Sequence, residues 1–148
     1  MQEFPILSGM NKMLMTDISK SDTLYGKYSQ VEMLDKETLD TLKKYAEGNH
    51  EIIRDVFDSF VPEAEELIKT INQQNEIRDK EATRVAVHAL AGICGSIGAE
   101  RLRKIASDME TLIKCGKETK AFELIEVLLL TWTELNEEIN RLQQSFRK

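Results

Sequence analysis

Covalent staples are missing from this chain. Its two cysteines, Cys94 and Cys115, form no CxxC pair, and no His/Cys cluster stands at zinc spacing. A disulfide framework and a structural zinc site are therefore excluded, and two reduced thiols in a cytoplasmic protein are expected. No apolar run is long enough to span a bilayer; Ile125 to Leu130 is short and set among glutamates. The N-terminus has no basic region followed by an apolar stretch and a small-residue cleavage site. A basic surplus is missing too: the net charge is −6 and the pI near 5.1, which argues against a nucleic-acid binder. Alternating β-branched runs and Asn-Gly turns are absent, so no strand is expected. What remains is 148 residues, 41% apolar and 31% charged, enough for one soluble domain with a single core.

Helical periodicity fills most of that length. Residues 1–33 show no sustained period and carry Pro5, Gly9 and Gly26, so a linker or N-terminal extension is expected there. From residue 34 onward a helical domain is expected, running to residue 148. Asp35 is a plausible N-cap for a short helix through Leu39 and Leu42, with Tyr45 or Ala46 on its apolar face, ending at Gly48-Asn49. A long helix follows through Ile52, Ile53, Val56, Phe57, Phe60, Ala64, Leu67, Ile68 and Ile71; its stripe resumes in phase after Pro62, which predicts continuity. A polar break is expected from Asn72 to Asp79. Next comes a helix carrying His88, with a turn at Gly95 to Gly98. Another helix runs through Leu102, Ile105, Ala106, Met109, Leu112 and Ile113, and a last one extends from about Glu118 to Phe146. Four long amphipathic helices with short connections imply an all-α, antiparallel up-down four-helix bundle with an additional short N-terminal helix.

The most informative stretch is Ala86-Val87-His88-Ala89-Leu90-Ala91-Gly92-Ile93-Cys94-Gly95-Ser96-Ile97-Gly98-Ala99. On a helix the neighbours of His88 are Arg84, Ala91 and Gly92. Gly92 weakens a helix relative to alanine, so its presence suggests a need for space beside the ring. Another stripe follows: Arg103, Ser107, Glu110 and Lys114 share one face of the next helix. His50 stands in no motif and is expected at the surface near a helix start.

The pattern His88, Leu90, Gly92, Ile97, Gly98, Ala99 resembles that of the histidine-containing phosphotransfer (HPt) domain. The five-helix layout from about Leu34 to Phe146 is similar as well. The resemblance implies that His88 is the phosphoacceptor of a phosphorelay, taking a phosphoryl group from a receiver-domain aspartyl phosphate and passing it to another receiver. Imidazole suits this role, being a largely neutral nucleophile near pH 7. The family commonly orients the ring with Gln or Glu on the following helix, and the matching position here is Glu110. Lys114 matches a position that is often basic, where it would help neutralise the phosphoryl group; Arg84 and Arg103 border the same surface. Many members carry Lys at the position of Ala91, so one cation is lost here.

The resemblance further implies a carrier and not an independent enzyme, since no glycine loop for ATP precedes a helix. It fits either a free-standing carrier or a C-terminal piece of a hybrid sensor histidine kinase. The expected partners are response-regulator receiver domains and a hybrid sensor histidine kinase, with this chain a monomer. No cofactor is expected on the chain itself; Mg²⁺ would sit on the receiver. A bundle metal site would need paired Glu-x-x-His elements, and none is present. A helical interaction module that is never phosphorylated is the competing reading, and Ala91 is the residue that favours it.

Overall fold

A computed structural model describes residues 24–145. Among these the chain forms α1 (Lys36–Ala46), α2 (His50–Ile77), α3 (Lys80–Ile97), α4 (Glu100–Lys114), α5 (Glu118–Glu123) and α6 (Ile125–Ser145). No strand occurs among the described residues. Helices α2, α3, α4 and α6 form the bundle, each packing on the next and α6 closing against α2. Arg78 and Asp79 alone join α2 to α3, and Gly98 and Ala99 alone join α3 to α4. Such short connections reverse the chain, giving the antiparallel bundle expected from the sequence. The core is the merged apolar stripe of the long helices: Phe57, Ile68 and Ile71 of α2, Val87 and Leu90 of α3, Ile105 and Met109 of α4, and Leu128, Trp132 and Leu135 of α6. Trp132 meets the Phe60 ring at 6.1 Å between centroids, a tilted aromatic pair.

Local chemistry sets the helix ends. Asn49 caps α2 by accepting from the Glu51 N–H at 3.1 Å, and Asp79 caps α3 by accepting from the Ala82 N–H at 3.1 Å. Asp35 stands at the N-cap of α1 as expected, yet its carboxylate accepts from the Thr38 hydroxyl at 2.6 Å and not from a backbone N–H. Pro62 lies inside α2 without ending it, because Phe57, Phe60, Ala64 and Ile68 stay buried on one side across it.

Several boundaries differ from the sequence reading. The polar break at Asn72 to Asp79 shrinks to its end: α2 continues to Ile77, with Gln74 buried and accepting from the Asp79 N–H at 2.9 Å. Polar residues facing solvent do not stop a helix; Arg78, in the left-handed conformation, does. The turn expected at Gly95 to Gly98 is likewise shorter, with Gly95 inside α3 and Gly98 alone left-handed at φ 75°. The last helix is two: it breaks at Leu124, and the short α5 places the Phe122 ring under the Arg78 guanidinium at 4.9 Å. Of the alternatives on α1, Ala46 is buried and Tyr45 is exposed.

Part of residues 1–33, expected as a linker or N-terminal extension, lies against the bundle. Residues 24–28 form one helical turn, and Tyr28 is fully buried. The Tyr28 hydroxyl donates to Asp108 at 2.7 Å, and that of Tyr25 donates to Glu134. Arg101 reaches back to the carbonyls of Val31 (2.8 Å) and Ser29 (3.1 Å). Individual anchors on α4 and α6 thus hold the segment like a strap. Residues 1–23 lie outside the described residues.

Candidate functional site

His88 stands midway along α3, on a stripe that faces solvent. Glu81, Val85, His88, Gly92 and Ser96 follow one another at helical spacing and are all exposed. The imidazole is 71% exposed, whereas the Glu110 side chain beside it on α4 is only 13% exposed. Glu110 Oε2 lies 2.8 Å and Oε1 3.1 Å from His88 Nδ1. An ionised carboxylate only accepts, so the proton in this contact belongs to Nδ1, and Nε2 is left without a hydrogen-bond partner among the described residues. The contact fixes the ring through one nitrogen and leaves the rest of the imidazole open to solvent.

Glu110 is held ionised. Partial burial pushes its carboxyl upward, but the hydrogen bond and charge of His88, with Lys114, outweigh this and bring it below the ordinary carboxylate range. Lys114 Nζ lies 3.5 Å and Arg84 Nη1 3.8 Å from the same Oε2. Three helical turns therefore converge on one oxygen: the ring from α3, a guanidinium one turn earlier on α3, and an ammonium one turn later on α4.

The other residues singled out from the sequence are distributed differently. Arg103 pairs with Glu100 at 2.7 Å, and its side chain lies over Gly95, further along the same face. Ser107 is half-buried on α4, where its carbonyl accepts from Thr111. Ala91 is half-buried against the core. Gly92 is open: a methyl group added there would meet nothing within 4 Å. His50 begins α2 and is exposed. Two partners escaped the sequence reading, Glu81, which grips Arg84 at 2.6 Å, and Glu100. Their i, i+3 spacing to the arginines was the available signal. Cys94 is buried, its thiol pushed up to about 12 by desolvation, and so is inert beside the site.

The family model of the Hpt domain matches residues 55–145, more than half of the chain. The chain belongs to the Hpt domain family. Membership makes it a histidine phosphotransfer protein of a phosphorelay, a carrier and not a kinase, whose kind of partner is a receiver domain. The fold agrees: the crystal structure of histidine-containing phosphotransfer protein B (HptB) from Pseudomonas aeruginosa PAO1 is similar with a TM-score of 0.70. That similarity holds at 22% identity and covers 78% of this chain and 97% of that one. No curated protein matches the chain in sequence. No helix among the described residues of this Hpt protein is long and apolar enough to cross a membrane.

Proposed function

We propose that His88 Nε2 is the phosphoacceptor and Glu110 its orienting residue. The observation that carries this reading is the division of labour on the ring, with Nδ1 bonded to a half-buried carboxylate and Nε2 without a partner on an exposed ring. In the step, the Nε2 lone pair attacks the phosphorus of a receiver's aspartyl phosphate. The Nε2–P bond forms, the P–O bond breaks, and the aspartate leaves as its carboxylate with the electron pair. The Nδ1 proton stays in place, so the ring becomes cationic against the ionised Glu110, which favours that charge. Transfer to a second receiver reverses the same bonds.

Arg84 and Lys114 supply positive charge around the acceptor in place of the lysine that Ala91 lacks. Gly92 supplies room for the receiver, and Arg103 and Ser107 border the surface further along. The receiver brings Mg²⁺ and most of the electrostatic stabilisation, while this chain contributes a positioned nucleophile. The donor receiver belongs to a hybrid sensor histidine kinase, and the carrier works as a monomer in the cytoplasm. Residues 1–33 form an extension of the phosphotransfer domain, strapped to it from residue 24.

Incubation with a phosphorylated receiver tests the assignment. Wild-type protein should gain an acid-labile, base-stable label, and His88→Gln should gain none while keeping its helical circular dichroism and melting temperature. The exposed ring leaves no cavity behind, so the fold is expected to survive. A folded His88→Gln variant that still takes the label would overturn the assignment, and His50 would be tested next.

A further inference from the structure

Two cations stand beside His88, and they are held differently. Lys114 Nζ meets the Glu110 carboxylate at 3.5 Å. Arg84 is engaged mainly elsewhere: its Nε lies 3.1 Å from both oxygens of Glu81, and its Nη2 donates to Glu81 Oε1 at 2.6 Å. A fork on a carboxylate is the geometry in which an exposed arginine pair is strongest. Nη1 alone is left over, 3.8 Å from Glu110 Oε2 and beyond hydrogen-bond distance. Glu81, Arg84 and His88 follow one another at i, i+3 and i+7 on α3. The guanidinium therefore stands between the Glu81 carboxylate and the imidazole, about one helical turn from each. The Glu81 side chain is 68% exposed, so no packing locks it to the arginine.

The Nε–Nη2 edge of an arginine grips one anion at a time, and here a carboxylate occupies it. A phosphoryl group on His88 would bring fresh negative charge and three acceptor oxygens to the other side of the same guanidinium. We propose that Glu81 is a competing counterion: Arg84 leaves Glu81 for the phosphoryl group when His88 is phosphorylated, and returns to it when the group departs. The proposal rests on His88 being the acceptor. Glu81 is then a positioning residue that acts through Arg84 and never touches the reacting atoms. Its effect is to limit how tightly the carrier holds the phosphoryl group. An arginine with no other partner would favour the phosphorylated state by its whole interaction with the group, and onward transfer would have to overcome that. Because Arg84 is paired in both states, only the difference between its two partners biases the equilibrium.

Phosphoramidate serves as the probe, giving its phosphoryl group to the ring and losing ammonia, so that no receiver docking enters the measurement. The readout is the half-life of the phosphohistidine at neutral pH, with circular dichroism as a check on the fold. In a loose transition state the phosphoryl oxygens lose charge, so a cation resting on them slows departure of the group. Glu81→Gln should lengthen the half-life about threefold, the scale of an exposed ion pair, and Arg84→Ala should shorten it. Glu81→Gln in the Arg84→Ala background should change nothing. A lengthening that persists without Arg84 would reduce Glu81 to plain repulsion and overturn the inference. A shortened half-life in Glu81→Gln would overturn it too, making Glu81 a prop for the arginine, and so would an unchanged one. All three results leave the acceptor assignment standing. If phosphoramidate labels folded His88→Gln as fully as the wild type, or labels neither, the acceptor assignment fails and this inference with it.

Discussion

Glu110 binds a ring and two cations through one carboxylate oxygen, and its position in the interface between α3 and α4 makes it answer to acid. Its folded pKa lies below the ordinary value of 4.5. Between the folded and unfolded values the unfolded chain binds more protons, so stability rises with pH across that window. The contribution is complete above the ordinary value and is lost as pH falls through the folded one. Glu110→Gln should therefore lose less stability than the wild type on acidification through this range, as read by urea denaturation at a series of pH values. Parallel loss in both proteins would sink the prediction. Transfer should respond differently: Glu110→Ala removes a hydrogen bond to a charged group, worth ~1.5 kcal/mol at an exposed ring, and should slow phosphoryl acceptance about tenfold. Glu110→Gln keeps an acceptor for Nδ1 and should recover most of the rate in a stopped-flow transfer assay.

Helix α3 separates two uses of glycine that look alike in the motif. Gly92 lies within the helix with open space beside it, so Gly92→Ala should stabilise the fold by up to about 1 kcal/mol, and Gly92→Gln should fold yet block receiver approach. Gly98 is left-handed, and a methyl group there would stand 2.7 Å from Thr38 Cβ and 3.2 Å from Asp35 Cβ. Gly98→Ala should thus destabilise by roughly 1–3 kcal/mol by displacing α1, whose Asp35 N–H donates to the Gly98 carbonyl at 2.6 Å. Thermal melts of the three variants check both signs; a stabilised Gly98→Ala would show that α1 yields freely. The apolar stripes of the long helices were legible from periodicity, and so was the face shared by Glu110 and Lys114. What the pattern left open was engagement: Arg103 belongs to the same stripe, but its neighbour Glu100 claims it. Helix ends were harder still, because a left-handed cap such as Arg78 has no compositional mark.

At the scale of the whole molecule the strap formed by residues 24–33 is the least legible part. It docks through single side chains and not through a repeated stripe, so no period announces it. Tyr28 is its main anchor, fully buried and bonded to Asp108, and burial together with that bond pushes its hydroxyl well above the ordinary range. Tyr28→Phe should cost ~1 kcal/mol and lower the melting temperature by a few degrees. An unchanged melt would mean that the strap contributes nothing to global stability.

The same strap bears on how quickly the protein forms and comes apart. Consecutive long helices pack on one another across minimal turns, so most of the bundle assembles from contacts close in sequence, which favours folding on microsecond to millisecond timescales. The contacts of Tyr28 with Asp108 and of Tyr25 with Glu134 span 80 and 109 residues. Closing such long loops is slow to repay its entropy, so these contacts belong after the rate-limiting step. Tyr28→Phe should then leave the refolding arm of a chevron plot almost unmoved and steepen escape from the native state. The strap would act as a latch on an already built bundle, governing its lifetime and not its birth.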